Sequence, residues 1–300
     1  MTQSTSAKDP GMAEPVHTNE ADESRWWSTL RAFSLSGWMG LALVVSWLLI
    51  AIFGPMLAPY EVGAIIAPDV FDRFSAAHWL GSDYLGRDVL SRLLSGARYT
   101  VGLAFAAALL ASTCGTSLAL FAAVSGRWTD EILSRLMDTL ISIPGKIFAL
   151  VMVAAFGSSL FLLLIIAAVS YTPGAYRIAR SLAVNLNQMD YIQVARARGE
   201  GRVYLALFEI LPNMINPMLS DFGLRFIYVV LLLSGLSFLG LGVQPPDADL
   251  GSLVRENISG LGEAAPAIIM PALAIASLTI GVNLLIDSIA GSDRKNAGET

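Results

Sequence analysis

Three stretches of this chain carry no charged side chain: Ala32 to Tyr60, Tyr99 to Gly126 and Ile147 to Tyr176. Each exceeds the roughly 20 apolar residues that cross a bilayer core. Inside lipid every backbone N–H and C=O must be satisfied within the protein, which leaves helices or a closed barrel. The runs are continuous rather than alternating, so a β-barrel is excluded. Composition agrees: 14% of residues are charged and mean hydropathy is +0.62, against roughly a quarter charged in soluble domains. The chain is therefore read as an all-α integral membrane protein in contact with lipid. A net charge of -5 without a basic tract argues against nucleic acid. The single cysteine, Cys114, has no partner for an internal disulfide.

Clear spans lie near Gly37 to Pro59, Tyr99 to Val124, Asn213 to Gly242 and Pro266 to Ala290, while Glu131 to Tyr176 fits one span or two joined at "FGSS". Basic residues near span ends mark the cytoplasmic side. Five arginines stand between Arg177 and Arg202 against two acids, and the N-terminal tail brings Lys8, Arg25 and Arg31. If both sit inside, the crossings between them are even in number, so Glu131 to Tyr176 crosses twice. Its 46 residues suffice at about 1.5 Å each. The expectation is six transmembrane helices with both termini cytoplasmic. Residues 1–30 are a disordered tail, 31–98 the first span and an outer loop, 99–290 the core with a cytoplasmic connection at 188–211, and 291–300 a second tail. Residues 1–30 lack the apolar core of a signal peptide, so the first span is expected to remain uncleaved.

The connection contains "YIQVARARGEGRVYLALFEILPN", Tyr191 to Asn213. Ile192, Ala195 and Gly199 share one face of its first half. Val203, Ala206, Leu207 and Ile210 form a helical stripe in its second. Gly199 and Gly201 mark a helix stop and a turn, and Pro212 suits the first turn of the next span. Two short helices at an angle follow. They lie on the lipid surface, or they dock another protein through a flat Ala/Gly face flanked by arginines.

This stretch resembles the EAA loop of ABC-transporter permease subunits, through Gln193, Val194, Ala195, Gly199, Leu211 and Pro212. "LGSDYLGRDVLSRLLSGARYTVG" (Leu80 to Gly102) and "LSFLGLGVQPPDADLGSLVRE" (Leu236 to Glu256) are similar to two further segments of the dipeptide/oligopeptide/nickel class, in its second, C-type permease. The likeness runs from about Leu35 to Ala290. It implies the type I importer permease fold in a bacterial inner membrane. It implies partners too: a second homologous permease forming a heterodimer, two cytoplasmic ABC ATPases, and a periplasmic or lipid-anchored solute-binding protein. ATP and Mg would sit on the ATPases. The loop would be a coupling element, with Tyr191, Gln193, Ala195, Arg196, Arg198, Gly199, Leu211 and Pro212 as its residues. Gln193 stands where the family has Glu, Val194 where it has Ala, Glu209 where this class often has His, and Leu250 where it often has Trp. The Gln193 departure removes a carboxylate available to an ATPase arginine.

The chain has no G-x-x-x-x-G-K-[ST] phosphate loop, so it is expected to bind no cofactor and to catalyse nothing itself. Polar residues in the spans are candidates for a translocation path: Asp138, Asn213, Asn216, Asp221, Arg225, Asn283 and Asp287. Asp221 and Arg225, four apart, also suit a structural pair. Gly81, Asp83, Gly86, Arg87 and Asp88 form a candidate outer-face motif; with Arg92 they read as a surface helix of alternating charge or as a dock for the binding protein. Gly102, Ala106 and Ala107 suit helix packing. No metal site is expected, since His78 lacks a second ligand at useful spacing. An intramembrane hydrolase using Ser237 would need a nearby base, and the two histidines, His17 and His78, lie elsewhere in the sequence. An ion-coupled secondary transporter is the other alternative, and inverted halves are not visible. The resemblance favours short peptides as cargo, with nickel complexes, opines or another small solute as alternatives.

Overall fold

A computed structural model describes residues 34–67, 69–72, 74–75, 78–263 and 265–298, so the expected tail at 1–30 lies outside the described residues. Among the described residues nine main helices make up the architecture: α1 (Leu35–Leu57), α2 (Val89–Ser125), α3 (Arg127–Ile141), α4 (Gly145–Phe156), α5 (Leu160–Leu186), α6 (Asp190–Ala197), α7 (Arg202–Phe238), α8 (Leu250–Glu256) and α9 (Pro266–Gly298). No strand occurs among the described residues. The backbone of α9 stays helical to Gly298, so the expected second tail at 291–300 begins as a continuation of this helix.

Five helices, α1, α2, α5, α7 and α9, are long and apolar enough to cross a membrane, and α3 with α4 makes a sixth crossing if the bent pair is one span. The bend between them is 79°. Its cause is Pro144, which disfavours helical backbone at Ile143 and ends α3. Contacts along α5 show the slant of this pair. Asp130 of α3 bonds Arg180, Ser134 bonds the Tyr176 hydroxyl at 3.0 Å, and Asp138 bonds Arg177 at 2.7 Å. Eight residues along α3, about 12 Å, thus match three along α5, about 4.5 Å. Gly145 at the start of α4 then stands beside Ser170, and Ala149 and Val153 share a core with Leu163 and Ile166. The pair climbs α5 obliquely, then steeply. Counted as one span, the pair supplies the second crossing that the even-crossing argument calls for, with its low-hydropathy half lying aslant.

Small residues set the helix crossings, as expected where lipid gives no hydrophobic drive between helices. A Cβ on Gly40 of α1 would come within 2.7 Å of the Leu285 nitrogen in α9. One on Gly54 would meet the Leu94 carbonyl at 2.7 Å, and one on Gly115 of α2 would meet the Ala175 Cβ at 2.7 Å in α5. Of the expected packing row, Ala107 is fully buried, but Gly102 faces open space. One core, including Ala104, Ala108, Ile166, Val229 and Leu278, fills the larger part of the bundle. A second, including Ala119, Met137, Tyr176, Ala195, Ile210 and Met214, closes the end that carries α6. The opposite end carries α8.

Candidate functional site

At the α6 end the connection forms a braced bracket. Asp190 opens α6 with its charge at the favourable pole of the helix dipole. Ile192 and Ala195 are fully buried in the core of that end. Gly199 closes the helix with φ +89°, a conformation costly for residues with a Cβ. The Glu200 N–H reaches the Ala195 carbonyl at 3.2 Å and the Gly199 N–H the Arg196 carbonyl at 3.0 Å, a glycine-closed helix stop. Asn187, which sequence reasoning passed over, holds the bracket to α2. Its Nδ2 donates to the Ala123 carbonyl at 2.9 Å, its Oδ1 accepts from Arg196 at 2.7 Å, and its carbonyl accepts from Gln193 at 3.2 Å. An asparagine at the C-cap of a long apolar helix was the available signal.

Two expectations are corrected here. The Ala195 face points into the chain's own helices and is not a free docking face. Asp190, Tyr191, Gln193, Val194, Arg196 and Ala197 of α6 are exposed, as is Arg198 just past its end. Nor does Val203, Ala206, Leu207, Ile210 form the buried stripe. Leu205, Ala206 and Ile210 are buried, whereas Val203 and Leu207 are exposed. The reason is a π-helical turn over Leu205–Ile210, where the period widens and the Leu211 N–H bonds the Ala206 carbonyl five residues back. Pro212 explains it: the residue lacks an N–H, and its ring clashes with the carbonyl four back in a regular helix. Pro212 stands in the first turn of the regular α-helical stretch Leu211–Phe238, as expected, and the π turn joins that stretch to the start of α7. Leu211, partly buried, packs against the second core.

The polar span residues do not share one path. Asp221 and Arg225 are buried and form a two-pronged pair at 2.9 and 3.1 Å. The Arg225 guanidinium fills the space over Gly174 of α5, where a Cβ would stand 2.4 Å from it. This is the intrahelical structural pair that the four-residue spacing allowed. Asp138 is paired with Arg177. Asn213 donates to the Glu209 carbonyl at 2.7 Å and stands 3.4 Å from the Tyr191 hydroxyl, so it belongs to the bracket. Asn216, Asn283 and Asp287 are exposed.

At the α8 end, neither the surface helix nor the charged dock materialises. Helix begins only at Val89, and Asp83, Asp88 and Arg92 are at most 3% exposed. Asp83 accepts from the backbone N–H groups of Leu85 and Arg87 at 2.9 Å, and from the Arg87 and Arg92 side chains at 2.7 Å. Both arginines also reach Glu256 of α8, at 2.9 and 2.8 Å. Burial works to lower the Arg87 pKa, but Asp83 and Glu256 together outweigh it and hold the value above normal. Asp88 caps α2 through the Ser91 N–H at 2.7 Å. Gly81 and Gly86 turn the loop with φ +73° and +76°, and the Gly86 carbonyl takes the N–H groups of Ile66 and Ala67. The motif is a buried clasp from the 61–88 loop through α2 to α8.

A second fastening lies beside it. Asp249 caps α8 from the Ser252 N–H at 2.7 Å and accepts from Ser237 at 2.5 Å, while the Leu250 N–H bonds Thr100 at 2.9 Å. Burial raises the Asp249 pKa against the opposing pull of the Ser237 and Ser252 hydrogen bonds. Ser237, 2% exposed, is thus engaged in structure.

Comparison with known proteins draws these features together. A family model described as "Binding-protein-dependent transport system inner membrane component" matches residues 115–292, more than half of the chain. The chain is 32% identical over 251 residues to the dipeptide transport system permease protein DppC of Alkalihalophilus pseudofirmus, covering 84% of this chain and 83% of that one. It is 33% identical to the glutathione transport system permease protein GsiD of Pectobacterium atrosepticum, over 80% of each chain. It is likewise 33% identical to the probable D,D-dipeptide transport system permease protein DdpC of Escherichia coli K12, over 82% of this chain and 83% of that one. A multi-pass helical bundle with a braced connection before its penultimate span, matched over most of its length, belongs to the family of binding-protein-dependent transport system inner membrane components, the permease subunits of ABC transporters.

Proposed function

We propose that this chain is one permease subunit of an ATP-driven importer of short peptides. The relatives' printed names, dipeptide, D,D-dipeptide and glutathione, support that cargo class. The α6 end faces the cytoplasm together with both termini. Two ATPase subunits there hold ATP and Mg, and this chain binds neither. A second, homologous permease completes the pathway, and an external binding protein, free in the periplasm or lipid-anchored, delivers cargo at the α8 end.

In this reading the bracket 188–211 receives the ATPases through its exposed side: Tyr191, Gln193, Val194, Arg196 and Arg198. Gly199 shapes it, and Ala195, Leu211 and Pro212 fasten it to the spans. Closure of the nucleotide-binding pair displaces α6, and the two spans it joins, α5 and α7, move with it because a braced connection transmits rigid-body motion. The observation that carries the proposal is the complete burial of Ile192 and Ala195, which leaves α6 no freedom to move without its spans. Exposed Asn216, Asn283 and Asp287 are the cargo-path candidates, since among the described residues no side-chain bond engages them.

Val194→Asp tests this, since Val194 is 57% exposed and its loss costs the fold little. Expected is a normally inserted permease whose complex has lost ATPase association and labelled-dipeptide uptake. Wild-type association and uptake would overturn the role of the bracket.

A further inference from the structure

An open apolar groove of about 720 Å³ runs between α2 and α7, from Leu109 and Phe222 at one end to Ser125, Thr129 and Arg202 at the other, with Phe121 and Leu211 on its walls. We propose that it is a binding site for one anionic phospholipid, with the acyl chain along the groove and the phosphate at Arg202. The site makes no use of the cargo or the ATPases. It rests on the orientation given above only in naming the leaflet as cytoplasmic.

The groove is long enough for an acyl chain: Leu109 to Ser125 is about 24 Å of α2, more than the roughly 15 Å depth of one leaflet's hydrocarbon. Charge complementarity identifies the headgroup. Arg202 has only a long bond, 3.4 Å, to the Ser125 carbonyl, and no ion pair engages it or the exposed Arg127 among the described residues. The nearby carboxylates are committed elsewhere: Asp130 to Arg180, and Glu131 to Arg135. Glu200, two residues before Arg202, forms no ion pair with it. The hydroxyls of Ser125 and Thr129 stand at the same end as further donors. A cation and hydroxyls at the interfacial end of an apolar slot match a phosphate ester with its tail.

The purified complex, exchanged into nanodiscs of equal phosphatidylglycerol and phosphatidylethanolamine and released into mild detergent, is examined by native mass spectrometry. The wild type should retain one phosphatidylglycerol in preference. Arg202→Gln should lower that preference about fivefold, the attraction of one basic side chain for an anionic surface. Ser117→Trp, which fills the groove from an exposed position, should abolish retention. Equal retention of both lipids by the wild type, an unchanged preference in Arg202→Gln, or unchanged retention in Ser117→Trp would each overturn the site. So would loss of the second permease from the Ser117→Trp complex, which would make the groove a subunit seat. Because lipid mass is read without transport, failure here is distinct from failure of the import mechanism.

Discussion

The two ends of the bundle are fastened by different chemistry. At the α8 end, Asp83, Arg87, Arg92 and Glu256 are withdrawn from solvent and bond to one another. At the α6 end, small apolar side chains and hydrogen bonds from Asn187 do the work, while the charged groups stay outside. A buried charge network has one acceptable arrangement, because any displacement leaves an ion without its partner. The clasp therefore suits a fixed shell, and the bracket, with its apolar side buried and its charges outside, a rigid handle that moves together with α5 and α7.

The sharpest way to break this contrast is to remove one charge from the clasp. Arg92→Ala leaves Asp83 and Glu256 partly uncompensated and should cost about 3–5 kcal/mol, read as a large fall in thermal stability in detergent. At the bracket, Ile192→Ala should cost about 2–4 kcal/mol through the cavity it leaves, with greater protease sensitivity near residue 198 and an intact α8 end. Gly199→Val forces a β-branched residue to φ +89°, a strain of about 1–2 kcal/mol; uptake should fall while insertion persists. Asp249→Asn should have the smallest effect. Burial raises the pKa of Asp249, so its stabilising contribution is complete below the ordinary carboxylate value and declines as pH rises through the higher folded one. The asparagine should remove that decline, measured as a flatter melting temperature against pH, while keeping the α8 cap.

Much of this contrast was hidden in the sequence. The spans were legible because lipid demands long charge-free runs, and the even-crossing argument called for a further crossing where the bent pair α3–α4 stands. That Ile192 and Ala195 share a face followed from their three-residue spacing, but not that the chain's own helices cover that face. The π turn was not legible, because reading a stripe at 203, 206, 207 and 210 assumes a 3.6-residue period that Pro212 locally overrides. Nor was the clasp. Its charges look solvated when read locally, and their partner Glu256 lies 164 residues from Arg92. Asn187 escaped notice for the same reason: its most telling bond, to Ala123, spans 64 residues.

Helix α2 takes part in both fastenings. Its first turns hold the Asp88 cap and Arg92, and its last turn offers the Ala123 and Ser125 carbonyls to Asn187 and Arg202. The angle about its axis between these two sets of contacts is fixed by the number of residues separating them. Adding or deleting one residue between Val101 and Ala119 would twist one set about 100° away from the other. The length of this rod is accordingly as constrained as any side chain it carries.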